Sequence, residues 1–246
     1  MTLAPGREEA ATVTRGDGRS GRRPAPRQTP GRYGLLLFLL IATYLLSAFD
    51  DSVWIGAAQL GVFVATGFLA LRSSGLPRRR ARLIALIGLA GSAVAFGLAL
   101  TRPNDQAIAA ASIWAGLLLL ATVVVIVRRI LAFETVTIQS IFAAVSAYLM
   151  IGLMFAAFYA ADYQLHGRFF FADHQPGTSQ TFQYFSFTTL TTLGYGDFTA
   201  ANPGGRAVAV LEALTGQIFL ATLVARLVAA FRAPSSRAED GERGQD

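Results

Sequence analysis

Ten consecutive residues carry the most specific chemistry in the chain: Thr188-Thr189-Leu190-Thr191-Thr192-Leu193-Gly194-Tyr195-Gly196-Asp197. Gly194 and Gly196 stand at alternate positions. A backbone free of Cβ at every second residue can alternate its conformation, so that successive carbonyl oxygens face one side. A row of such oxygens can take the place of a cation's hydration shell. On this reading Thr192, Leu193, Gly194 and Tyr195 present carbonyls to the ion, and the Thr192 hydroxyl adds an oxygen at the inner end. The Tyr195 ring turns away and packs behind the strand, holding the oxygens at their spacing. A glycine-rich surface turn is the competing reading. The length of the pattern T-x-x-T-x-G-Y-G-D, and its place between two apolar spans, weigh against it.

Such a strand must be positioned by the rest of the chain, which is 246 residues long and 53% hydrophobic. Its mean hydropathy is +0.47. The apolar residues come in blocks close to the roughly 20 residues that a bilayer crossing needs. Six such blocks occupy 34–49, 53–71, 83–100, 107–127, 138–161 and 206–231. Residues 180–191 make about three helical turns, too short to cross. They follow Pro176-Gly177-Thr178-Ser179, which supplies turn and N-cap chemistry. Phe182, Tyr184, Phe185 and Phe187 would wedge this short helix between its neighbours, and its partially negative C-terminus would favour a cation at the strand. The expected fold is an all-α membrane protein: six transmembrane helices plus a re-entrant pore helix and a filter loop.

All 21 basic residues are arginine, and the net charge is +6. They sit in short loops and tails beside apolar blocks, which marks them as topology signals rather than a nucleic-acid surface. With the N-terminus cytoplasmic, 18 of the 21 fall inside and only Arg102, Arg168 and Arg206 fall outside. The expected location is therefore the cell membrane, with several passes and both termini cytoplasmic. That orientation sends the Thr188–Asp197 loop in from the outer side. The organisation reads as an Arg/Pro/Gly-rich disordered tail (1–33), a four-helix transmembrane bundle (34–130), a pore domain (131–232) and a short charged tail (233–246). Arg22-Arg23 resembles an export signal, but the apolar block after it has no small-residue cleavage site and reads as an anchor. The chain has no cysteine, which excludes disulfides and thiolate metal sites.

Residues 138–231 resemble the two-helix pore domain of the potassium ion-channel superfamily: outer helix, turret, pore helix, filter, inner helix. Thr192-Leu193-Gly194-Tyr195-Gly196 nearly reproduces that family's T-V-G-Y-G, with Leu193 where Val or Ile is usual. The resemblance implies a homotetramer in the lipid bilayer that conducts potassium passively, with potassium as permeant ligand and no cofactor. It implies potassium coordination by Thr192, Leu193, Gly194 and Tyr195, with Thr189, Thr191, Gly196 and Asp197 as filter support. Gly216, 20 residues after Gly196, matches the family's gating-hinge glycine in spacing. Close helix packing explains a glycine there equally simply. Gln217 is expected to line the cavity and Glu212 to lie behind the pore helix, since polar groups at membrane depth must face water or a partner.

Two other readings stay open: a weakly selective cation channel, and a non-conducting assembly or regulatory subunit that keeps the pore fold. An enzyme is not expected, because no nucleophile–base constellation or phosphate loop occurs and no catalytic residue can be named. His166, His174, Asp162 and Asp173 in the turret match no ligand spacing. Six spans invite comparison with voltage-sensing channels, but the fourth, 107–127, contains no arginine, and Arg128-Arg129 only mark its end. Each charge crossing the field contributes only about 2.3 kcal/mol per 100 mV, so steep gating needs several of them. Currents should therefore lack steep voltage dependence. A gating charge of several units per subunit would contradict this reading of the first four spans.

Overall fold

Among the described residues seven helices follow one another: α1 (Arg32–Ser47), α2 (Val53–Ser73), α3 (Arg78–Thr101), α4 (Asp105–Ala132), α5 (Ile138–His166), α6 (Ser179–Leu190) and α7 (Pro203–Arg232). The structure, a computed structural model, describes residues 32–47, 53–73, 77–101, 104–132, 136–166 and 169–232. These belong to the unit Gly31–Asp246. The expected C-terminal tail, nearly all of the expected N-terminal one, and the connections through Asp50-Asp51 and Arg102-Pro103 lie outside the described residues.

Local chemistry starts several of these helices. The Asn104 side chain accepts from the amide of Ala107 at 2.8 Å and Asp105 supplies an acid in the first turn of α4. Thr137 and Ser140 exchange side-chain and backbone bonds of 2.8 and 3.3 Å ahead of α5, a reciprocal cap. Asn202 accepts from Gly205 at 2.5 Å, and Pro203 opens α7 with an amide-free residue where no amide is needed. Within the apolar spans, hydroxyls of Thr43, Thr66, Ser92, Thr122, Ser146 and Thr222 donate back to carbonyls four residues earlier. That pairing lets them sit among hydrocarbon without an unmet donor.

Among the described residues four helices are long and apolar enough to cross a membrane: Arg79–Leu98, Asp105–Leu131, Ile138–His166 and Pro203–Ala229. The apolar stretches Tyr33–Ser47 and Gly56–Leu71 are shorter. α1, at 16 residues, is about 24 Å long and falls short of a roughly 30 Å hydrocarbon core. The described residues are thus all-helical, and the chain is a multi-pass membrane protein. Among the described residues the extended pairing is limited to an isolated antiparallel bridge, Phe171 to Ala200.

α5 is the hub, packed against α1, α4, α6 and α7. Gly116 of α4 lies under the Phe158 ring of α5, and Gly91 of α3 under the Trp114 ring of α4, whose Nε1 donates to Ser92. α1 touches more than its neighbours in sequence. Ser47 donates to the Gln183 side chain of α6 at 2.9 Å, and the Tyr44 and Phe187 rings meet edge to face at 5.0 Å. At the opposite end of the bundle the Arg129 guanidinium of α4 lies 5.9 Å from the Tyr33 ring of α1. Arg226 of α7 donates to the carbonyls of Ile130 and Leu131 there, a cation at the C-terminus of α4. The start of α1, the end of α4 and the end of α7 thus share one end of the bundle.

A Cβ at Gly91 would lie 2.0 Å from the Trp114 ring. Gly91→Leu should therefore force Trp114 off α3 at a cost of about 1–3 kcal/mol. A lowered melting midpoint of the detergent-solubilised protein would register it, whereas an unchanged midpoint would mean that the α3–α4 contact does not hold the bundle together.

Candidate functional site

Thr178 opens α6. Its side chain accepts from the Thr181 amide, while the Thr181 hydroxyl accepts from the Thr178 amide at 2.8 Å. The helix runs from Ser179 to Leu190, 12 residues, one residue earlier at each end than the sequence reading placed it. One face is buried by Phe182, Gln183, Phe185, Ser186 and Leu190. Phe182 and Phe185 enter an aromatic cluster with Tyr159 of α5 and with Phe170 and Phe171 of the loop after it. Phe170 and Phe171 are fully buried, held where Ala172 donates to Thr199 and Ala201 to Phe170 at 2.9 and 2.8 Å. Tyr184 takes the other face and does not wedge: its hydroxyl donates to Asp197 Oδ2 at 2.8 Å. The carboxylate pushes the Tyr184 phenol up from its ordinary value of 10.0, so that hydroxyl stays a donor. Gln175 donates to the Asp197 carbonyl at 3.1 Å.

After Leu190 the chain leaves the helix through Thr191, the C-cap, and turns at Thr192 into a non-helical segment. Backbone φ is +57° at Thr192, +55° at Gly194 and +81° at Gly196, so every second residue is left-handed. For the β-branched, non-glycine Thr192 this is strain on the order of 1–2 kcal/mol, which its surroundings must offset. The amides of Leu193 and Gly194 both donate to the Thr188 carbonyl, at 2.8 and 3.2 Å, and the Thr192 amide donates to Thr189 at 3.0 Å. No peptide bond among the described residues is cis. In a trans peptide the N–H and the preceding C=O point in opposite directions. With the Leu193 and Gly194 amides turned back onto α6, the carbonyls of Thr192 and Leu193 therefore point away from it.

Thr189 contributes its carbonyl to this turn, and the Thr191 hydroxyl donates to Phe187 at 2.6 Å. Gln217 of α7 reaches the Thr192 hydroxyl at 3.4 Å, the outer limit of a hydrogen bond. Leu193 and Tyr195 are 55% and 69% exposed. The Tyr195 ring thus has no cover from its own chain adequate to hold the strand. Val210, Leu211, Leu214 and Ile218 on α7 are likewise exposed.

Behind α6, Glu212 of α7 is 0% exposed. The Tyr159 hydroxyl donates to Glu212 Oε2 at 2.6 Å, and the Ser186 hydroxyl contacts Glu212 Oε1 as well as the Gly152 carbonyl, the latter at 2.7 Å. Gly216, one turn further along α7, lies against the end of α6: a Cβ there would be 2.4 Å from the Leu190 carbonyl oxygen. That same carbonyl accepts from Tyr148 of α5 at 3.2 Å. The close approach is sufficient reason for a glycine at 216, and α7 continues unbroken through it.

In the turret, His166 pairs with Asp162 at 3.0 Å, one turn back on α5. Among the described residues no cluster of three or more His, Asp or Glu is placed to hold a metal. Sequence reasoning missed Tyr148, Tyr159, Ser186, Gln175 and the buried pair Phe170-Phe171. The one visible signal for the last was three consecutive phenylalanines in a loop that otherwise reads as polar.

Gly216→Ala would drive a methyl group into the backbone of α6, a contact that no rotamer change relieves. The variant should lose about 1–3 kcal/mol of stability, read as a lowered melting midpoint of the detergent-solubilised protein. An unchanged midpoint would show that the end of α6 is free to move.

No curated protein and no solved structure matches the chain. Residues 158–233, from the C-terminal end of α5 through α6 and the alternating strand to the end of α7, match the Ion_trans_2 family model, described as an ion channel. The match covers less than half of the chain and supports the ion-channel superfamily for this segment.

Proposed function

We propose that the protein is a potassium-selective channel, four copies of which surround one axis and conduct potassium passively across the cell membrane. One observation carries the reading. Left-handed backbone at Thr192, Gly194 and Gly196, with the intervening amides turned onto Thr188, leaves a strand whose carbonyls can face an ion. Thr192, Leu193, Gly194 and Tyr195 then coordinate potassium, with Gly196 ending the strand and Asp197 braced by Tyr184 at its mouth. Leu193 does not alter this chemistry, because the oxygen it offers is that of the backbone.

One chain supplies one carbonyl per ion layer, whereas a potassium ion stripped of water needs several around it. Cyclic symmetry provides them. The exposed Tyr195 ring and the exposed apolar residues of α7 support the same assembly, since a neighbouring copy would cover them. Both termini are cytoplasmic in this reading: the start of α1 and the end of α7 share one end of the bundle, and the arginine distribution names the side. α2 and the shorter α1, around which the bilayer would thin locally, complete six crossings.

Reconstituted full-length protein should pass potassium and report four copies by native mass spectrometry. A bi-ionic reversal potential strongly favouring potassium over sodium separates this reading from a weakly selective cation pore. Gly194→Ala should abolish flux with the tetramer intact, because φ of +55° suits glycine and resists a Cβ. Unchanged potassium-selective flux in that variant would remove the filter hypothesis.

A further inference from the structure

We propose that Glu212 is a positioning residue whose neutral carboxylic acid ties α7 through Ser186 to the pore helix and through Tyr159 to the outer helix, fixing the filter strand from behind. The inference rests on the channel reading for its functional consequence but not for its chemistry.

The chemistry follows from counting protons. The Ser186 hydroxyl has one hydrogen and two acceptors in bonding contact, the Gly152 carbonyl at 2.7 Å and Glu212 Oε1. If Glu212 were ionised, both of its oxygens would offer only lone pairs. Ser186 would then have to spend its hydrogen on Glu212, leaving its own oxygen facing the Gly152 oxygen at 2.7 Å with no hydrogen between them. A proton on Glu212 Oε1 removes the conflict. Glu212 donates to Ser186, Ser186 donates to Gly152, and Tyr159 donates to Oε2, so every contact has one hydrogen.

The surroundings favour the same state. Glu212 is 0% exposed, and the side chains that bond it are two hydroxyls. Among the described residues the titratable groups facing it are Tyr159 and Tyr148, both on α5 and both neutral when protonated; α6 contributes Ser186. A buried carboxylate without a cationic partner is strongly disfavoured, whereas a neutral acid with each hydrogen bond made is tolerated.

The position gives the tie its consequence. Ser186 lies two residues before Thr188, whose carbonyl holds the Leu193 and Gly194 amides. Glu212 lies four residues before Gly216, which touches Leu190. Loss of the tie frees α6 to rotate or slide on α7, and the strand moves with it.

Two measurements on the full-length protein test this. Infrared spectra at neutral pH should contain the carbonyl stretch of a protonated carboxylic acid, absent in E212Q and shifted in S186A. Its absence from the native protein would overturn the proton assignment, whether or not the protein conducts. In reconstituted channels E212Q, which can still donate to Ser186 and accept from Tyr159, should keep the native potassium-over-sodium permeability ratio. E212A should lower the ratio about tenfold, as expected when buried hydrogen bonds are left unmade. S186A, the smaller lesion should E212A fail to assemble, should lower it as well. Equal loss in E212Q and E212A would mean that a charge is required, and no loss in E212A or S186A would mean that the tie positions nothing; either result overturns the proposal. A native protein that passes no potassium would instead overturn the channel reading, while the infrared result would still decide the state of Glu212.

Discussion

The Thr188 carbonyl, accepting two amides from the strand that follows, is the interaction on which the rest depends. Backbone that belongs to neither helix nor sheet has no regular ladder to satisfy it, so its amides must find other partners. Here they find them at the last turn of α6, among carbonyls that a helix end leaves unused. The strand can therefore be placed no better than that turn is placed. This explains the concentration of packing around so short a helix: aromatic rings from α5 and the loop on one side, Tyr148 and Gly216 at its end, Glu212 and Ser186 at its middle, and α1 at Gln183.

The α1 contacts change how the N-terminal half reads. A four-helix bundle standing apart from the pore segment would be free to move against it. Ser47–Gln183 and Tyr44–Phe187 instead make α1 a wall of the pocket that holds α6. α3, by contrast, packs on α2 and α4. α1 thus belongs physically with α5 and α6, while α2 and α3 pack on one another and on α4.

Sequence alone disclosed what is written in residue identity. Alternate glycines, the threonine cap at 178 and the arginine-marked ends each reflect a local demand that few residue types satisfy. Glu212 was partly legible, since a carboxyl at membrane depth must be covered, but its partners were not. Tyr159 and Ser186 are 53 and 26 residues away, and nothing distinguishes them from any other tyrosine or serine in an apolar helix. Gly216 left two explanations standing because hinge and contact call for the same absent side chain. Thr192 concealed its left-handed backbone altogether: threonine disfavours that region, and only the hydrogen bonds around it impose it.

The contact at Gly216 has a mechanical meaning. Two backbones meeting with no side chain between them have no soft layer to absorb displacement, and packed interiors compress little. A bend of α7 at this point would either push the end of α6 directly or open a gap beneath it. α7 and the strand after α6 consequently form a rigid linkage in series, with Leu190 as the bearing surface. Any force applied near Arg226, at the far end of the same helix, is delivered to the oxygens of the strand.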